Sequence, residues 1–161
     1  MKIPFNKLSN DARIWIYPSN RKFSDKECIE IRGLCDDFLD KWTAHNNLLL
    51  ASIDIPYNRF IVIGLQTDFN LPTGCSIDSS VHFIQSLEKK YKISLLDKMN
   101  VTFKQGEYFT HKSLNDFKSM LSKGSINSKT IVFNNLINDV GGYKSQWEVS
   151  LEDSWHSRFI K

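Results

Sequence analysis

Only three cysteines, seven glycines and four prolines occur in these 161 residues, and no apolar run approaches the length that spans a bilayer. Cys28, Cys35 and Cys75 form an odd set without metal-ligand spacing, so neither a disulfide framework nor a cysteine-held metal is expected. The glycines never fall into GxxxxGK[ST], which excludes a P-loop ATPase. They make no GxGxxG or GxSxG either, which removes the commonest dinucleotide and hydrolase signatures. The histidines show no HxxxH or HxH spacing, and the sequence predicts neither metal nor cofactor. Charge of one sign is also scarce. Against 18 acidic residues stand 21 basic ones, scattered to a net +3 without a basic block, so nucleic acid is not an expected partner. No long apolar run occupies Met1 to Asn10, and a reducing, cytoplasmic setting is the expectation.

What is present suits one globular domain. Hydrophobic residues are 41% and charged residues 24% of the chain, and a chain of this length buries about two-thirds of its unfolded surface without an external staple. Arg13 to Tyr17 alternates as a strand, with Ile14 and Ile16 on one side and Arg13, Trp15 and Tyr17 on the other. A capping box, Ser24 to Glu27, opens a helix over about Asp25 to Ala44, with Cys28, Ile31, Cys35, Phe38 and Trp42 at helical spacing. A hairpin of Leu49 to Tyr57 and Phe60 to Leu65 comes next, and then a helix from near Ser76 to Tyr91 with Ile77, Val81, Ile84 and Leu87 inward.

Met99 to Lys104 and Tyr108 to Lys112 read as strands around Gln105-Gly106, and Ser113 caps a short helix that Gly124 stops. Thr130 to Phe133 is a further strand, Asn134 to Lys144 is loose, and Gln146 to Val149 pairs back. The order through Lys104 is the βαββαβ of a ferredoxin-like α+β core, with an antiparallel or mixed sheet. The core runs over about 11–104, and an extension over about 105–161 docks on it.

Candidate chemistry concentrates at the start of the second long helix, where Gly74, Cys75, Ser76, Asp78, Ser79 and Ser80 gather small and polar side chains. Unsatisfied backbone N–H groups and a positive dipole end suit an anion there, although Asp78 opposes one. Cys75 in that position is a candidate nucleophile, with His45 or His156 as its base. The loop residues Asn134, Asn135 and Asn138 offer further polar contacts. Trp15 and Tyr17, with Arg13, Arg21 and Lys22 nearby, offer a base-stacking face.

Five stretches, Ala12-Arg13-Ile14-Trp15-Ile16-Tyr17, Trp42-Thr43-Ala44-His45, Gly74 to Ser80, Val132-Phe133-Asn134-Asn135-Leu136 and Ser154-Trp155-His156-Ser157-Arg158-Phe159, together resemble a family of small uncharacterised bacterial proteins. Members often carry the automatic label "ABC transporter ATPase". The resemblance implies a bacterial protein and no particular chemistry, since an ATPase of that class needs the phosphate loop missing here. Gly106 through Trp147 also resembles a GYF-like adaptor, which implies peptide or protein binding.

The leading expectation is therefore a non-catalytic cytoplasmic binding or adaptor protein, taking a protein partner or a small anionic ligand. The alternatives are a thiol-dependent enzyme built on Cys75 and RNA binding through Trp15 and Tyr17.

Overall fold

Strand β1 (Arg13–Pro18) leads into helix α1 (Asp25–Lys41) through the expected capping box. The Ser24 hydroxyl accepts from Glu27 N–H at 3.1 Å, and the Glu27 carboxylate accepts from Ser24 N–H at 2.9 Å. That carboxylate also takes both guanidinium nitrogens of Arg21 at 2.8 Å, and the Arg21 bonds hold its pKa down at about 2. One residue in α1 works against the helix. Gly33 is exposed, and nothing lies within 4 Å of where its Cβ would be. Gly33→Ala is expected to raise unfolding free energy by about 0.5–1 kcal/mol, read as a higher urea midpoint at unchanged slope.

Helix α1 stops at Lys41, three residues short of the expected Ala44, because strand pairing claims Thr43 and Ala44. Trp42 is extended (φ −72°, ψ 125°), and β2 (Thr43–Ala44) pairs with β3 (Asn47–Leu48). His45 and Asn46, with φ of 51° and 64°, make the two-residue turn between them, a left-handed pair matching the twist of a tight hairpin. His45, a candidate base, therefore sits exposed at a hairpin tip.

Strands β4 (Ala51–Asp54) and β5 (Phe60–Leu65) complete an antiparallel sheet of order β1-β5-β4. Every residue of β5 is buried, as its unbroken apolar run predicts. Directly paired residues share a face, so the register Trp15 to Ile63 and Tyr17 to Ile61 puts these aromatics with Ile61, Ile63 and Leu65. That face packs on Ile31, Cys35 and Leu39 of α1 and on Ile84 and Leu87 of helix α2 (Gly74–Tyr91). The opposite face holds Ile14 and Val62. On that face Gly64 lies close against Leu8, whose Cδ1 would have to move to admit a Cβ. The expected outward face of Trp15 and Tyr17 is thus an inward one, because β1 is apolar on both sides.

The βαββαβ expectation holds for three strands only. A ferredoxin-like core would set a fourth strand beside β1, but β6 (Asn100–Gln105) belongs to another sheet. The edge of β1 is met by Asn138–Val140 instead. Ile14 N–H donates to Asn138 O at 3.0 Å, Val140 N–H donates to Ala12 O at 3.0 Å, and Arg13 bridges Asp139. On the far side Lys2 bridges Ala51.

The computed structural model describes residues 1–161 and falls into two compact units, Met1–Leu96 with Asn138–Gly141, and Asp97–Ile137 with Gly142–Lys161. The second contains the antiparallel sheet β7-β6-β8-β9, where β7 is Tyr108–Ser113, β8 Ile131–Phe133 and β9 Glu148–Ser150. Helix α3 (Leu114–Ser122) starts at the Ser113 cap as expected, its hydroxyl accepting from Asp116 N–H at 3.1 Å, and Gly124 ends the turn at φ 79°. Phe117 of α3 packs with Val101, Phe103, Ile126, Val132 and Leu151. The stretch expected to be loose contains a short helix, α4 (Val140–Gln146). No helix is long and apolar enough to cross a membrane.

Candidate functional site

The start of α2 is anchored internally. Thr73 is its cap, so the helix starts at Gly74, two residues before the expected start near Ser76. The Thr73 hydroxyl accepts from Ser76 N–H at 3.1 Å, and Thr73 N–H donates to Ser76 Oγ at 2.6 Å. Ser76 and Ser80 are buried, so the inward face of α2 runs through Ser76, Ser80, Ile84 and Leu87, while Ile77 and Val81 are only half-buried. The buried Trp42 indole donates to Ser76 O at 2.8 Å, and Ser79 Oγ donates to the same carbonyl at 2.9 Å. Burial raises the pKa of the Tyr17 phenol, and the neighbouring Ser80 hydroxyl partly offsets it. Trp15 meets Trp42 edge-on at 6.0 Å.

The aromatic strand, the tryptophan after α1 and the serine-rich turn therefore converge, and they do so as a packed junction. Tyr17 is only 8% exposed, which closes the face that base stacking would need. Gly74, Cys75 and Asp78 stay at the surface, and no group of His, Cys, Asp and Glu in the molecule is arranged to hold a metal ion.

The other candidates are likewise engaged in structure. His156 is 2% exposed, its Nδ1 lies 2.7 Å from Ser154 Oγ, and its ring stacks on Trp155 and approaches Phe117. Burial lowers its pKa to about 4. Asn134 Oδ1 accepts from Leu136 N–H at 3.2 Å, closing a local turn, and Asn135 Oδ1 accepts from the Trp147 indole at 2.9 Å. Asn138 serves the β1 edge through its carbonyl.

The three cysteines form no disulfide. Cys75 is exposed in the first turn of α2. Burial pushes the Cys35 thiol far up, and burial together with the Asp25 charge pushes Cys28 up. Native alkylation is therefore expected to mark Cys75 first, Cys28 slowly and Cys35 only after unfolding, in the peptide masses of iodoacetamide-treated protein.

A concave surface without any local sequence signal lies within the second unit. Between the end of α3 and the last residues of the chain is a cleft of about 760 Å³. Leu121, Ile126 and Phe159 make its apolar part. Ser119, Ser122, Asn127 and Ser128 add hydroxyls and an amide. Lys118, Arg158 and Lys161 contribute cations, and no Asp or Glu lines it. At the end of α3, Ser119 O accepts from Lys123 N–H, Met120 O from Ser125 N–H and Leu121 O from Gly124 N–H. Lys118 Nζ stands 4.7 Å over the Phe159 ring, and the Arg158 guanidinium stands 5.5 Å from the Trp155 ring. These residues are about forty positions apart and individually ordinary, so only the fold brings them together.

No protein-family model, curated protein or solved structure matches this chain.

Proposed function

We propose that this protein is a non-catalytic binding protein whose ligand groove is the cleft at the end of α3. The observation that carries the reading is the lining, an apolar floor with unmatched cations and hydroxyls around it, which suits recognition and holds no acid-base pair. Exposed residues at both walls make the test safe for folding. Peptides selected from a random display library on the immobilised protein should perturb backbone amide signals of 118–128 and 158–160. Lys118→Glu with Arg158→Glu should abolish or redirect that selection. Selected peptides that perturb only amides elsewhere would reject the cleft.

A second reading, thiol chemistry at Cys75, is favoured by the exposure of this residue at a helix start. His156 does not support it, being buried and paired with Ser154. Nitrophenolate release from p-nitrophenyl acetate that disappears in Cys75→Ser would sustain this reading, and equal release by both proteins would end it.

A further inference from the structure

The chemistry of the cleft narrows its ligand. Resting on the binding role just proposed, we infer that the occupant is an acidic linear segment of another protein, with at least one aliphatic or aromatic side chain among its carboxylates. Charge is the first reason. Lys118, Arg158 and Lys161 line the cleft without any acidic side chain. The ion pairs Lys2 to Asp36, Arg21 to Glu27, Lys104 to Glu148 and Lys129 to Glu152 all use other cations. Lys118 and Arg158 are held instead over aromatic rings, an arrangement that leaves their N–H donors available to a carboxylate while limiting the freedom lost on binding.

The apolar floor is the second reason. Leu121 and Phe159 are half-buried beside the buried Ile126, a surface that a small free anion would leave wet and an apolar side chain would cover. A third is hydrogen-bonding capacity. The hydroxyls of Ser119, Ser122 and Ser128 make no hydrogen bond within the protein, and the Asn127 carbonyl oxygen of the side chain is taken by Lys129 N–H at 2.8 Å, which leaves its NH₂ to donate to a peptide carbonyl. Single-stranded RNA shares the negative charge but fits less well, because a phosphate backbone offers no aliphatic side chain to cover Leu121 and Ile126.

The test uses the whole 161-residue chain and a fluorescent peptide alternating Asp and Glu with Leu and Phe, tracked by anisotropy at low and at physiological salt. Three comparison ligands accompany it: the same peptide with Asn and Gln for the acids, one with Ala for Leu and Phe, and an oligouridine. The acidic peptide is expected to bind more weakly as salt rises. It should lose about tenfold in affinity in each of Lys118→Gln and Arg158→Gln, a change of about 1.4 kcal/mol per site. Both side chains are exposed, and unchanged circular dichroism and melting would show that each variant is folded. The amide peptide and the alanine peptide should each bind at least about tenfold more weakly than the acidic one.

Equal binding of the amide peptide would overturn the acidic assignment while leaving the cleft as a groove. Tighter binding of oligouridine, weakened by the same variants, would replace the peptide with nucleic acid. An acidic peptide bound equally well by wild type and both variants would overturn the inference, since it would bind outside the cleft, and would leave the proposed function to the library selection. No binding of the acidic peptide would overturn the inference alone, since the library selection tests the cleft without assuming charge.

Discussion

Trp42→Ala is expected to destabilise the protein by about 3–5 kcal/mol, the range for emptying a buried aromatic site. Trp42 is 2% exposed. It packs against Trp15 at 6.0 Å and Phe38 at 5.6 Å, and its indole holds Ser76 O at 2.8 Å. One side chain thus joins the end of α1, strand β1 and the first turn of α2. Trp42→Phe separates the contributions. It keeps a ring but removes the donor, and Ser76 O retains the Ser79 hydroxyl at 2.9 Å, so the expected cost is only about 1–2 kcal/mol. Urea denaturation of both variants, monitored by circular dichroism, measures the two losses. A Trp42→Ala loss below that of Trp42→Phe would show that the junction does not act as described.

Acid is expected to weaken the second unit through His156 before it reaches the carboxylate pairing of the first. The imidazole is buried against Trp155 and Phe117, touches the Ser154 hydroxyl, and titrates at about 4 in place of its usual 6.5 because burial disfavours the cation. Between these values the unfolded chain holds a proton that the folded one does not, so stability is complete above pH 6.5 and falls as pH drops towards 4. The loss amounts to roughly 3 kcal/mol at most, from the free energy equivalent of each pKa unit. Glu27 has the other window. Its carboxyl is held at about 2 against an ordinary 4.5, so its contribution persists above the ordinary value and disappears only as pH falls towards 2. Denaturant midpoints from pH 7.5 to 4.5 should therefore decline in wild type and much less in His156→Gln, even though that variant is weaker at neutral pH. Parallel declines would show that other groups carry the acid sensitivity.

Local signals proved readable where a side chain reports its own backbone. The Ser24 to Glu27 box, the Ser113 cap, the Gly106 turn at φ 66° and the buried run of β5 all stand in the structure as the pattern predicts. Alternation failed in β1 because that strand is covered on both faces, so Ile14 and Tyr17 are both buried and the period of two no longer tells inside from outside. It failed in α2 because serines occupy two inward positions, Ser76 and Ser80, which a hydrophobic count passes over. The end of α1 was hidden because Thr43 and Ala44 tolerate a helix, and only pairing with Asn47–Leu48 turns them into a strand. The polar motifs drew attention as a site and are largely internal ties, whereas the cleft draws on residues that carry no local signature.

The short run Asn138–Val140 along β1 also sets an order of events. A chain growing from its N-terminus has all three strands of the first sheet once Leu65 is made, yet the edge of β1 near Ala12 and Ile14 waits for residues more than seventy positions later. Throughout that interval the nascent sheet carries an open row of peptide groups, the kind of edge to which a second chain adds. Its exposure ends only when the segment from the far side of the sequence arrives.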